Sequence, residues 1–140
     1  MTQLLVLRAV VEAPCAEVAE LLLDVRPGGR SPIAVRGTVE ETDTGNEFVV
    51  VHEGSRVSVS VDPASRTVAQ QGEWWYRGVY QVEPDPRGSV IEFRILNVAP
   101  RARWAVRFVA RKPLADAPAQ FADQVERLGQ ALGVKAWVDY

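Results

Sequence analysis

His52 is the chain's only histidine and Cys15 its only cysteine. His52 shares strand parity with Phe48 and Val50. A histidine aimed at an apolar interior can serve as a general base; a satisfied or half-exposed side chain is the plainer alternative. No second histidine or cysteine stands near it, so no metal site is expected. Cys15 cannot form an intramolecular disulfide and has no histidine nearby in sequence, so it reads as a small side chain at a helix start. Trp74, Tyr76, Gly78, Tyr80 and Val82 fall on one strand face. Trp and Tyr pair a large apolar body with a polar tip, which suits a cavity wall. A solid core is the competing reading, and Gly78 between two tyrosines would leave a gap in the wall.

Residues 101–112 read Arg-Ala-Arg-Trp-Ala-Val-Arg-Phe-Val-Ala-Arg-Lys, with five bases and no acid. The other 128 residues then hold 11 bases and 18 acids, a charge of −7 against +5. As a helix, the segment lines Arg103, Arg107 and Arg111 in one stripe beside Trp104 and Phe108. As a strand, its alternation is equally good. Pro100 and Pro113 as boundaries favour the helix. Such a basic rim could draw an anionic ligand, an acyl-carrier arm or a lipid surface, or simply be a solvated face balanced by the acidic remainder.

Other chemistries lack their residues. Gly28-Gly29-Arg30-Ser31 has no Gly-Lys-Ser/Thr ending and follows a helix, so it is no phosphate loop. No Gly-x-Ser-x-Gly elbow, paired-carboxylate motif or zinc motif is present. With 140 residues, 47% hydrophobic and 24% charged, the composition is that of one ordinary globular domain spanning 1–140. A net charge of −2 gives no bulk attraction to nucleic acid, and no nucleic-acid module is recognisable. The apolar opening is interrupted by Arg8 and lacks a basic leader region and a cleavage site. A cytoplasmic protein with no membrane span and no cofactor is the expectation.

The elements that must position these residues follow from periodicity. Residues 3–12 alternate as a strand, with Leu5, Leu7, Ala9 and Val11 on one face. Pro14 opens a helix carrying Val18, Leu21, Leu22 and Val25 inward and Glu17, Glu20 and Asp24 outward, which Pro27-Gly28-Gly29 ends. Six strands follow: Arg36 to Thr42, Glu47 to Glu53, Arg56 to Val61, Thr67 to Gln71, Trp75 to Glu83 and Ser89 to Val98. Their connections are too short for parallel crossovers, so the sheet is antiparallel. Phe121, Val125, Leu128 and Leu132 form one stripe on a helix from Pro118 to Leu132, stopped by Gly133. This is an α+β pattern.

The chain resembles the START-like or Bet v 1-like superfamily, also called SRPBCC or helix-grip proteins. Val11-Glu12-Ala13-Pro14-Cys15-Ala16-Glu17-Val18-Ala19-Glu20-Leu21-Leu22-Leu23-Asp24 is similar to that group's first strand-to-helix passage. Tyr76-Arg77-Gly78-Val79-Tyr80-Gln81-Val82-Glu83-Pro84 with Gly88-Ser89-Val90 is similar to its hairpin, and the terminal amphipathic helix completes the match. Val18-Ala19 stands where many members have an aromatic residue, and Ser89 where many have Thr. The polyketide cyclase/dehydrase-like bacterial proteins are the nearest loose group. The resemblance implies a curved seven-stranded antiparallel sheet wrapped around the C-terminal helix, in the order β-α-α-β6-α. It also implies a cavity between them for a hydrophobic or aromatic, polyketide- or lipid-like ligand. Trp74, Tyr76, Tyr80, Phe93, Asn97, Phe121 and Val125 would line that cavity, with Tyr76, Tyr80 or Asn97 orienting a polar end. Members of the group include carriers, receptors, and cyclase or aromatase enzymes. In an enzyme of this kind His52 would be the catalytic candidate; an interaction module built on 101–112 is the further alternative.

Overall fold

The computed structural model describes residues 2–34 and 37–139. Among these residues, a single antiparallel sheet of eight strands carries the fold: β1 (Thr2–Val11), β2 (Thr38–Glu41), β3 (Glu47–His52), β4 (Ser55–Asp62), β5 (Thr67–Gln71), β6 (Tyr76–Asp85), β7 (Gly88–Asn97) and β8 (Ala136–Val138). They lie in the order β2-β3-β4-β5-β6-β7-β1-β8, so β2 to β7 form an uninterrupted meander and β1 closes onto β7. Among the described residues, three helices accompany the sheet: α1 (Cys15–Leu22), α2 (Val106–Val109) and α3 (Arg111–Leu132). Short 3-10 turns occupy Pro32–Ala34 and Arg103–Ala105.

The expected α+β arrangement of a long C-terminal helix on an antiparallel sheet is present. The sheet has eight strands where seven were expected, because Ala136–Val138 returns along β1, pairing Ala9 with Val138 and Val11 with Ala136. The second helix of the expected order is only the single turn Pro32–Ala34. The first helix stops at Leu22, short of Pro27. Asp24 leaves it to hold the loop instead, accepting from Arg26 Nε at 2.8 Å and from the backbone N–H of Arg30 at 3.0 Å. The buried Ser31 hydroxyl donates to the Leu22 carbonyl at 2.6 Å, meeting one of the helix's orphan acceptors. Arg36, the expected start of the second strand, lies outside the described residues, and β2 itself runs over Thr38–Glu41.

The largest difference concerns α3, which starts at Arg111 rather than Pro118 and so has 22 residues. At 1.5 Å per residue that is about 33 Å. Pro113 takes the place expected of Pro118, in the first turn, where a missing N–H costs nothing. Pro118 then sits in the helix interior, where proline removes a hydrogen bond at a cost of ~3 kcal/mol. Burial of Ala117 and packing of Leu114 against the core work against that cost. The stop at Gly133 is as expected: φ is +69° there, a left-handed C-cap.

One apolar cluster joins the inner face of the sheet to α1 and α3. It contains Leu7, Ala9 and Val11 of β1, Val18, Leu21 and Leu22 of α1, Val82 of β6, and Phe121, Val125 and Leu128 of α3. A second, smaller cluster of Ala99, Val106 and Ala110 lies under α2, with Trp75 and Leu114 packed against both.

Candidate functional site: the cleft beneath the C-terminal helix

β6 and β7 pair in register from Tyr76–Asn97 to Asp85–Gly88, which sets Tyr80 directly opposite Phe93. Both side chains rise from the inner face toward α3. The Tyr80 and Phe93 rings stack with centroids 4.3 Å apart, and Phe121 of α3 stacks on Phe93 at 5.8 Å. This triad fills the centre of the space under α3. The hollow expected there is therefore displaced toward the first three turns of the helix. Gly78 leaves no gap either: a Cβ at that position would lie 2.7 Å from the Tyr76 hydroxyl and 3.0 Å from Phe93, so those groups already occupy the space.

What stays open is a cleft of about 460 Å³. Tyr76, Tyr80, Phe93 and Ile95 of β6 and β7 form its floor, and Phe121 closes its inner end. Ala117, Gln120 and Gln124 of α3 form one wall. Pro32 and Ile33, with Gln70 of β5, face them. His52, Lys112, Asp116 and Asp123 stand at the rim. The Tyr80 hydroxyl donates to Gln124 Oε1 at 2.9 Å, tying floor to wall.

Burial pushes the Tyr76 phenol up to about 12, and burial, the neighbouring Tyr76 and the opposing hydrogen bond to Gln124 leave Tyr80 higher still. Both phenols are therefore protonated at neutral pH. Tyr76 can donate a hydrogen bond to a polar group, and Tyr80, whose proton goes to Gln124, can accept one; neither acts as a base. A phenol held neutral in the fold ionises first in the unfolded chain. Its contribution is intact below pH 10 and is lost as pH rises through 10 toward 12. The rise at Tyr76 corresponds to about 2–3 kcal/mol across that window. Tyrosinate absorbance at 295 nm is expected to show no Tyr80 ionisation before the fold is lost, and Tyr80→Phe should abolish that late step. A Tyr80 signal near pH 10 in folded protein would contradict its enclosure.

Of the residues expected to line the cavity, the fold brings Tyr76, Tyr80, Phe93 and Phe121 together in the cleft. Val125 lies one turn beyond, inside the packed core. Trp74 and Asn97 lie elsewhere. Trp74 precedes β6, so strand parity does not extend to it, and its Nε1 donates to the Arg101 carbonyl at 3.0 Å. Asn97, at the end of β7, donates from its amide to the Arg103 carbonyl and accepts from the backbone N–H of Ala99. Both residues pin the basic segment. His52 is half-exposed at the end of β3, with Nε2 3.9 Å from Glu53. Cys15 is partly buried at the start of α1, against the core. Sequence reasoning missed Gln70, Gln120 and Gln124. Gln120 and Gln124 fall inside the expected helix but off its stripe of Phe121, Val125, Leu128 and Leu132, and Gln70 sits on a separate strand, so no common period links the three.

Among the described residues, no three His, Cys, Asp or Glu side chains gather as a metal site. No described helix is long and apolar enough to cross a membrane.

No protein-family model and no curated protein matches this sequence. Solved structures match its fold. Ara h 8.0201 aligns over 92% of this chain and 98% of its own, at 14% identity and a TM-score of 0.53. A Bacillus halodurans protein solved in solution aligns over 93% and 98%, at 16% identity and 0.56. DynU16, from the dynemicin biosynthetic locus, aligns over 91% of this chain but 47% of its own, at 18% identity and 0.57. The architecture is thus the Bet v 1-like fold of Ara h 8.0201, as the resemblance of the strand-to-helix passage and the hairpin implied.

Proposed function

We propose that this Bet v 1-like chain binds a small aromatic, oxygen-bearing molecule in the cleft between the sheet and α3. One observation carries the reading. The cleft sets a stacked aromatic floor beside neutral hydrogen-bonding groups, Tyr76, Tyr80, Gln120 and Gln124. Its volume of about 460 Å³ falls within the ~300–1,000 Å³ of small-molecule sites. Desolvating a flat apolar ring drives binding, and the phenols and amides orient its oxygens. An acyl chain would leave those polar groups facing hydrocarbon, which costs free energy. A polyketide-like aromatic is therefore favoured over a simple lipid. The fold itself does not decide between carrier and enzyme; DynU16 comes from a biosynthetic locus, but it shares only the fold with this chain.

The test uses 1,8-dihydroxyanthraquinone and palmitate as probes, with thermal shift and quenching of tryptophan fluorescence as readouts. The anthraquinone is expected to stabilise the protein more than palmitate does. Ala117→Trp, which fills the cleft from the α3 wall, should weaken its binding at least ~tenfold. Tyr80→Phe should cost ~3- to 10-fold, the value of one net hydrogen bond of about 1 kcal/mol. Failure of every aromatic probe to bind the wild-type protein would sink the reading.

A cyclase or aromatase is the second reading, supported by the presence of His52 at the rim of the same cleft. There His52 would remove a proton alpha to a ketone while the new carbon–carbon bond forms at a second carbonyl carbon. A tyrosine O–H would bond to the oxygen on which charge develops. Turnover of a poly-β-ketone thioester that survives His52→Ala unchanged would remove that role.

A further inference from the structure

We propose that the face formed by residues 101–112 docks the protein onto an anionic lipid bilayer. The proposal stands apart from the cleft reading and needs no ligand.

Trp104, Phe108 and Val109 are 73%, 62% and 50% exposed, and they are the most exposed large apolar side chains described. All three fall within six residues. Around them stand Arg101, Arg103, Arg107 and Arg111, none of which pairs with a carboxylate among the described residues. Most other arginines of the described chain do, including Arg8, Arg26, Arg56, Arg87, Arg94 and Arg127. Unpaired cations and bare aromatics are thus concentrated in one place. The Arg107 guanidinium lies 4.9 Å over the Phe108 ring, holding a charge and an aromatic face together.

The segment is built to present that face. Val106 and Ala110 turn inward onto Ala99 and anchor α2. Trp74 bonds the Arg101 carbonyl and Asn97 bonds the Arg103 carbonyl, fixing the chain on either side of the left-handed Ala102. Arg103, Arg107 and Arg111 then line a groove of about 560 Å³ floored by Leu4, Val106 and Leu114. The groove opens beside the first turn of α3, whose Lys112 and Pro113 stand at the cleft.

The occupant follows from the pattern of charge and apolar surface. Residues 101–112 carry +5 and the remaining chain −7, so this face is drawn to an anionic surface while the net charge of the rest opposes approach. Aromatics interleaved with arginines match the headgroup–acyl boundary, where rings insert and guanidinium groups meet lipid phosphates. A protein partner would call for an apolar centre with a polar rim and about 800 Å² per side. This segment is narrow, and its charges stand among its apolar residues.

The test is co-sedimentation of the full chain with vesicles of phosphatidylcholine alone or of phosphatidylcholine and phosphatidylglycerol at 7:3. Partitioning onto the anionic vesicles is expected to be at least ~tenfold stronger and to fall steeply between 0.1 and 0.5 M salt. Arg107→Glu/Arg111→Glu should lower it at least ~tenfold, since each basic residue near such a surface contributes ~1 kcal/mol. Trp104→Ala/Phe108→Ala should lower it similarly, while Lys135→Glu, off the patch, stays within about twofold. These side chains are exposed, so the variants should fold, and circular dichroism is the check on each of them. Absence of binding to anionic vesicles at low salt would overturn the proposal. So would equal binding to both vesicle types, or wild-type binding by both double variants.

Discussion

Phe121→Ala is expected to remove about 3–5 kcal/mol of folding stability, a large share of the roughly 5–15 kcal/mol that a marginal domain possesses. Phe121 is 2% exposed and rests on both partners of the β6–β7 pair, Tyr80 and Phe93. Truncation removes the transfer free energy of a ring and leaves a hole that rigid strands cannot collapse to fill. The hole would join the existing cleft, because Phe121 closes its inner end. The same variant should therefore gain the ability to take up toluene or a similar small aromatic, whose ring would refill the apolar space against Tyr80 and Phe93. Urea unfolding measures the first effect and ligand-induced stabilisation the second. A loss below about 1.5 kcal/mol would mean that the ring does not bridge helix and sheet. Phe121→Leu should cost distinctly less, since it keeps most of the apolar volume.

That aromatic plug explains which parts of the site were legible in the sequence. Alternation in β1 correctly placed Leu5, Leu7, Ala9 and Val11 on the core face, and parity along β6 placed Tyr76, Tyr80 and Val82 together. Both are local properties of an extended chain with a period of two. The hollow was expected from resemblance, yet whether facing rings fill a space depends on distances between β6, β7 and α3, and no period encodes those. Trp74 shows the limit of parity: the rule holds within a strand, and the strand begins at Tyr76. Asn97 keeps its strand position but serves the loop that follows β7. The start of α3 was misplaced because two prolines, Pro113 and Pro118, offered the same signal, and only tertiary packing of Leu114 and Ala117 selects the first. β8 escaped notice because three residues are too few to show alternation.

Gly88→Ala should be nearly as damaging as the loss of Phe121, for a reason that has nothing to do with the core. Gly88 opens β7 opposite Asp85, with φ at +128°, a conformation that residues with a Cβ rarely adopt. A Cβ there would stand 2.6 Å from the Val11 carbonyl oxygen and 2.7 Å from the Ala13 nitrogen. Neither backbone atom is free to retreat. Ala13 N–H donates to the Val11 carbonyl, Glu12 N–H donates to Lys135, and the buried Ser89 hydroxyl donates to the Ala13 carbonyl. Backbone strain of about 1–3 kcal/mol then adds to overpacking of about 1–3 kcal/mol, for a total near 4 kcal/mol. Gly133→Ala separates the two contributions. Its φ is also positive, at +69°, but nothing lies within 4 Å of the added carbon, so about 1–2 kcal/mol of conformational cost is all that should appear. Equal losses in chemical denaturation of the two variants would show that crowding at Gly88 is relieved, and that the passage from β1 into α1 can move away from β7. Unequal losses, with the larger at Gly88, would establish that this close approach locks the meander to β1 and so holds α1 in its place against the sheet.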